Sequence, residues 1–406
     1  MKSISNISKV IPLITVLLAE FHNEAFAGEF DLIVPSSKNY EPEKHGPCTA
    51  RFSGELVRGD IARAAETLYY NPFPEYRTVL CLNGTGGSLP VALELGSQDA
   101  VTWATRVTPD STCESACAIW FMQGGDEQGL GVPSFSIDRA IWVGAKLGFH
   151  SPKIRLRDAP RVTLGLVESA YQTALESLSG IYNLRSKRSG GGQTFINDYV
   201  FQRILDTPPS EMYYIDTVGD AILADIDVLG VDYRASLSAD LIKTICDNAL
   251  LLTDRWRSSL TSQYTMLSAK QLWKDFNNDF GQFVGDGISP SFVHKGFINE
   301  KGDVFGYSGL YPSGNYRYSN DCLLKLDGKS IEGEHVEWSK FTRHNAKVAI
   351  STNIEGSPLK SYKEILDAWS QTAEREKLNL PELALFPFGQ SLAHLPKSSD
   401  FELFFD

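Results

Sequence analysis

The stretch Thr78-Val79-Leu80-Cys81-Leu82-Asn83-Gly84-Thr85-Gly86-Gly87 runs from apolar and β-branched residues straight into a glycine-rich turn. A short apolar run closed by such a turn reads as a buried strand. Residues 89–104 then read as a helix interrupted by Gly96. Glycine has no side chain and tolerates positive φ, so a substrate carbonyl can come very close to Gly86 and Gly87. An ordinary strand-to-helix turn would use the same residues.

On the N-terminal side, residues 50–56 (ARFSGEL) are a strand candidate. Residues 59–70 carry apolar positions at helical spacing, closed by Pro72 and Pro74. Residues 28–47 read as a polar, Pro-containing lead-in loop. On the C-terminal side, 106–110 read as a short strand or loop. Residues 113–125 (CESACAIWFMQGG) read as a small-residue helix entrance with an apolar continuation. A Gly-rich loop is expected over 126–139, and a strand ending on a histidine over 140–150 (AIWVGAKLGFH). Helices are expected over 162–182 and up to Leu205, separated by a basic, Gly-rich loop over 184–193. Alternating strands and helices at crossover spacing imply an α/β architecture with mostly parallel strands.

Composition shifts near residue 235. Residues 237–279 read as mainly helical, and 292–325 as aromatic, Gly-rich, turn-punctuated strands. The aromatic run over 305–318 suits a binding surface or a β-rich core with exposed tyrosines. The terminal FELFFD suits docking on a neighbour or on the chain's own groove. With 406 residues, the chain is long enough for two domains or for one large domain with an elaborated tail, and the net charge of −12 argues against non-specific nucleic-acid binding.

The first residues read as a secretory signal over 1–27. Lys2 and Lys9 precede an apolar run at 11–19, and Ala25-Phe26-Ala27 offers a cleavage site. That run is shorter than the roughly 20 residues needed to span a bilayer. A periplasmic or secreted location is expected, with an uncleaved anchor or a buried helix as the alternative reading of this segment. The six cysteines are then expected in disulfides, with 15 pairings open. Cys246 with Cys322 is the expected pair in the C-terminal half, and Cys48 with Cys81 fits if their strands are neighbours. Cys113 and Cys117 either pair locally or stay reduced. No zinc, haem, iron–sulfur or dinucleotide spacing is present, so no metal or cofactor is expected.

Chemistry concentrates between Cys81 and His150. Ser115 sits in Cys113-Glu114-Ser115-Ala116-Cys117-Ala118, where small neighbours let a turn expose a hydroxyl beside the Ala116 amide. A helix cap or close-packing position would also suit that serine. His150 ends an apolar run in Gly148-Phe149-His150-Ser151-Pro152, and an imidazole exchanges protons near neutral pH. A partly buried, satisfied histidine is the alternative.

The order strand–NGTGG–helix, then CESACA, then GFHSP resembles the Clp proteolytic subunit and signal peptide peptidase A group, closest to an exported bacterial branch. SGELVRGD at 53–60 and the segment at 207–232 extend the resemblance to residues 48–234, with 235–406 as an accessory region. The resemblance implies a crotonase-like ββα spiral core followed by a mixed helical and β-rich region. It implies Ser115 as nucleophile, His150 as base, and Gly86, Gly87 and Ala116 as oxyanion donors. Asp206 is the nearest match for the third triad member, with Glu211 and Asp198 as rivals. Lys146 and Lys153 keep a Ser–Lys dyad open. The turn departs from the usual Asn-Ser-Pro-Gly-Gly, and the interval from Ser115 to His150 carries an extra polar loop. A peptide or protein substrate is implied, and a homo-oligomer is left open. The alternative is a catalytically inactive binding or scaffolding protein that kept the fold.

Overall fold

The computed structural model describes residues 28–33, 47–70, 78–94, 103–127, 135–153, 163–187, 193–233, 235–236, 238–252, 268–272, 274, 294–298, 304–312, 319–326, 328–331, 335–338, 346–353, 362–371, 377–398 and 401. The signal-like segment, residues 188–192 of the basic loop expected over 184–193, and residues 402–406 of the terminal motif lie outside these, whereas residues 184–186 of that loop are helical.

The chain is a mixed α/β protein. Its central sheet has the spatial order β1 (Glu29–Leu32), β2 (Ala50–Ser53), β3 (Val79–Asn83), β4 (Ala104–Val107), β8 (Arg139–Trp142) and β11 (Asp227–Leu229). Every pairing is parallel except β1 with β2. Helix α1 (Asp60–Tyr70) connects β2 to β3, and α2 (Leu89–Glu94) follows β3. Parallel strands covered on both faces need near-continuous apolar sequence. Leu80, Cys81 and Leu82 of β3 and all four residues of β8 are accordingly buried.

A smaller sheet, in the order β10 (Tyr213–Tyr214), β9 (Lys146–Phe149), β5 (Thr112–Glu114), carries the chemistry-bearing turns. Between β5 and β8 lie α3 (Ala116–Phe121) and the antiparallel pair β6 (Gly125–Glu127) and β7 (Phe135–Ile137). Helix α3 is buried along its whole length. Its Trp120 meets Phe52 of β2 edge-on at 4.9 Å between ring centroids, a contact that locks α3 against the central sheet.

Several sequence expectations are corrected. The lead-in contains β1, because Phe30 and Leu32 alternate onto the core. The loop over 126–139 carries β6 at its start and β7 followed by β8 at its end. The strand over 140–150 is two strands in two sheets, broken at Gly144, whose φ of 90° continues neither. Ala104 begins β4 rather than ending a helix.

Arg139 is only 1% exposed. Its guanidinium donates to the carbonyls of Met122 (2.8 Å), Asp225 (3.2 Å), Ala224 (3.3 Å) and Phe195. Met122 ends α3, and Ala224 and Asp225 end α6 (Val218–Ala224). A buried cation is tolerable where carbonyls of helix ends converge on it, since these carry partial negative charge.

Two further helices follow: α4 (Leu164–Ser186), capped by the Thr163 hydroxyl and packed on α2, and α5 (Asp198–Asp206), which packs on α4 and β9. One face of α4 leaves Leu164, Val167, Tyr171, Leu175 and Tyr182 exposed.

Beyond residue 235, β12 (Ala235–Ser236), β17 (His335–Trp338) and β16 (Gly328–Ile331) form one antiparallel sheet. Another has the order β13 (His294–Ile298), β14 (Val304–Pro312), β15 (Ser319–Leu326), β18 (Ala346–Asn353), β19 (Lys377–Leu380). Helices α7 (Ala239–Leu252) and α8 (Tyr362–Gln371) accompany it, and a disulfide joins Cys246 of α7 to Cys322 of β15. Leu383, Leu392, Leu395 and Phe401 then pack into the core of the central sheet, while Ala384, Leu385 and Phe388 belong to the core around α7. Val218 and Gly219 at the start of α6 donate to Gln390 and Phe388 at 2.9 and 2.7 Å. A Cβ on Gly219 would lie 2.3 Å from the Phe388 ring, so only glycine admits that approach. Among the described residues, no helix is long and apolar enough to cross a membrane.

Candidate active site

Parallel strands deliver their carboxyl ends, and the loops beyond them, to one side of a sheet, where ligands gather. Strand β3 ends in the turn Gly84 to Gly87. Strands β5 and β9 run parallel, so Ser115 after β5 and His150 after β9 emerge in the same direction. Three backbone bonds fasten these ends together. Gly84 donates to Thr112 at 2.7 Å, Glu114 to Gly84 at 3.0 Å, and Ser115 to Gly148 at 3.0 Å.

Ser115 has φ 55° and ψ −122°. A serine seldom adopts positive φ, and this ψ lies outside the small left-handed well, so the residue is strained. Its side chain makes no capping bond to α3. The helix-cap alternative therefore does not account for it. The turn approaches its neighbours closely before Ser115 is reached: a Cβ on Gly84 would lie 2.4 Å from the Gly54 carbonyl oxygen.

The glycine turn is equally constrained. Gly86 and Gly87 have φ of 116° and 125°. A Cβ on Gly86 would lie 2.7 Å from Ser115 Cβ, and one on Gly87 would lie 2.2 Å from the Leu56 carbonyl oxygen. Leu56 donates to Gly86 at 2.8 Å and accepts from Ser88 at 2.7 Å, forming a parallel bridge with Gly87. In that pattern the Gly87 amide points away from the Leu56 strand. Neither it nor the Ala116 amide donates to an acceptor among the described residues.

Ser115, Ala116, Gly87 and His150 all line one cavity of about 600 Å³. Leu56, Leu89, Ile119, Phe149 and Ile181 give it apolar walls, while Arg58 and Lys153 bring cationic side chains to it. This size suits a ligand of several heavy groups. Gly86 is not itself on the lining; it backs Ser115.

His150 is half-buried, and its Nδ1 lies 2.6 Å from the Ser151 carbonyl oxygen. A carbonyl only accepts, so Nδ1 donates, and in the neutral ring this leaves the lone pair on Nε2. The carboxylate of Asp206 is not on this ring. It accepts from Gln202 (2.6 Å) and Arg203 (3.2 Å), the latter 8% exposed, and is itself about half exposed. Asp198 pairs with Arg185 on the surface, and Glu211 is exposed. Lys146 is exposed at the far end of β9, whereas Lys153 lines the cavity.

Sequence reasoning did not single out three features. The Ser151 carbonyl is a backbone group and leaves no side-chain signal. The Leu56 backbone, which seats Gly87, is equally silent. Tyr214 of β10 donates its hydroxyl to Glu114 at 2.6 Å, bracing the residue before Ser115. That hydrogen bond, with burial adding to it, pushes the Tyr214 phenol up to about 12. Among the described residues, no group of three or more His, Cys, Asp or Glu side chains could hold a metal ion.

All six cysteines are paired, as Cys48–Cys81, Cys113–Cys117 and Cys246–Cys322. The first bridges the start of the β2 segment to β3, and the second straddles Ser115. No protein-family model matches the chain, and no curated protein matches it. Among solved structures, the chain is similar to a point mutant of ClpP1 from Listeria monocytogenes, at 11% identity and a TM-score of 0.29, covering 44% of this chain and 89% of that one.

Proposed function

We propose that residues 48–234 form an exported serine peptidase module of the crotonase-like, Clp-type architecture, hydrolysing peptide bonds through an acyl-enzyme on Ser115. The observation that carries this reading is the strained Ser115 turn, which opens on a cavity shared with His150 and with the uncommitted amides of Gly87 and Ala116. Strain of this kind costs about 1–3 kcal/mol and persists where the surrounding structure enforces it. The three disulfides support the exported location, since such bonds form in oxidising compartments.

In the proposed reaction, Nε2 of His150 takes the Ser115 hydroxyl proton as Oγ bonds to the peptide carbonyl carbon. The carbonyl π pair moves to oxygen, where the Gly87 and Ala116 amides stabilise it. Collapse breaks the C–N bond, and the imidazolium returns its proton to the leaving amine. Water, deprotonated by Nε2, then releases the acyl group and regenerates the serine. The Ser151 carbonyl holds the ring through Nδ1–H, a role that a carboxylate has in most triads.

The experiment is hydrolysis of a peptide mixture by wild type, Ser115→Ala and His150→Ala. Wild type should cleave, and either variant should lose at least about 10³-fold while melting within a few degrees of wild type. Equal cleavage by all three would reject the assignment. One observation favours a second reading, that of an inactive binding protein: among the described residues, no carboxylate contacts His150. A peptide that binds wild type yet is never cut would support that reading.

A further inference from the structure

We propose that the Cys113–Cys117 disulfide is a positioning element that holds Ser115 in its reactive backbone conformation, an inference that rests on the peptidase reading above. Cys113 lies in β5 and Cys117 in the first turn of α3, so the bridge spans the Ser115 turn symmetrically, two residues to either side. Its Cα atoms are 5.2 Å apart.

Loop length shows what this bridge is for. Constraint of the unfolded chain grows with the number of residues enclosed. The other two bridges enclose separations of 33 and 76 residues, and this one encloses 4. It therefore contributes least to global stability, yet it is the one placed at the strained residue. Both of its cysteines are fully buried, sealed from reductants in solution. That burial makes it a fixed brace and not a redox switch.

The brace is needed because the other restraints are modest. Ser115 is held by its amide on Gly148 at 3.0 Å and by its carbonyl, which accepts from Ile119 at 3.2 Å. Two backbone hydrogen bonds are comparable in net contribution to the strain of a non-glycine residue at such φ and ψ. With the ends of the turn released, the flanking peptide planes can rotate and φ can relax to negative values. That rotation would swing the Ser115 hydroxyl and the Ala116 amide away from the cavity together. Gly86, whose Cα sits beneath Ser115, leaves room for such a movement because it carries no Cβ.

The test uses the full chain with Cys113→Ala and Cys117→Ala combined, and a second version with Cys113→Val and Cys117→Ala that refills part of the lost volume. Peptide hydrolysis, thermal melting and a crystal structure are read on each. The proposal expects kcat to fall about tenfold to a hundredfold, with KM within about threefold of wild type, as for a misplaced reacting group. It also expects melting close to wild type and a Ser115 φ that has become negative. Unchanged kcat with φ still positive would overturn it. Failure of both versions to fold would assign the bridge to folding and overturn it equally. If wild type itself hydrolyses nothing, the peptidase reading fails, and the φ of Ser115 in the variant structure still decides the positioning claim.

Discussion

The two halves of the molecule differ in where they place backbone strain. Among the described residues, every non-glycine position with positive φ (Asp110, Ser115, Asp225) and every such glycine falls between 54 and 230. The described residues beyond 235 show none of these. Asp225 is a left-handed helix cap, a place where aspartate is at ease, and Asp110 sits in a tight turn. Ser115 has no such excuse. The contrast also appears in what fastens each half. Around Ser115, a short-range disulfide, three inter-strand bonds and the Leu56 bridge converge within one turn. In the C-terminal region, one disulfide of long separation ties a helix to an antiparallel sheet with a register shift between Ser308 and Tyr311. Strain gathered at one residue and braced from several sides is the pattern expected of a reacting group.

Three variants sharpen that comparison. The largest effect should come from Gly86→Ala, whose methyl would press on Ser115 Cβ at 2.7 Å. Turnover should drop about 10²-fold or more, read in the hydrolysis assay, because a shifted nucleophile also loses its alignment with the amides. A variant with normal turnover would show that the Ser115 turn is slack. Next comes Cys246→Ala with Cys322→Ala, which should cost about 2–4 kcal/mol in denaturant unfolding while kcat stays within about twofold. A collapse of kcat at temperatures where the protein remains folded would couple the two halves and break the contrast. The smallest effect is expected for Asp206→Asn. Its carboxylate serves Arg203 and Gln202, so kcat should change less than about threefold. A loss of several hundredfold would restore Asp206 as the partner of His150 in the working enzyme.

Much of this was legible in the sequence. The NGTGG turn, the small residues around Ser115 and the strand ending at His150 drew attention as a combination, through the resemblance, since each alone also suits an ordinary turn, a helix cap or a satisfied histidine. The alternation of strands and helices likewise revealed the parallel sheet. What escaped depends on contacts distant along the chain. Strand β1 pairs with β2 only because Phe30 and Leu32 find the core. The change of sheet at Gly144 is invisible in a run whose residues on both sides of that glycine are mostly apolar. The docking of Phe388 on Gly219 joins residues 169 positions apart (388 minus 219), beyond the reach of periodicity. Asp206 had the spacing of a triad member, but Arg203, three residues earlier on the same helix, takes its carboxylate.

Labelling with a fluorophosphonate tests the central claim most directly, with the adduct mapped by mass spectrometry of the digested protein. The account predicts one phosphonyl group on Ser115 in wild type, none in Ser115→Ala, and labelling at least about 100-fold slower in His150→Ala. An unmodified Ser115, or labelling indifferent to the loss of His150, would contradict it.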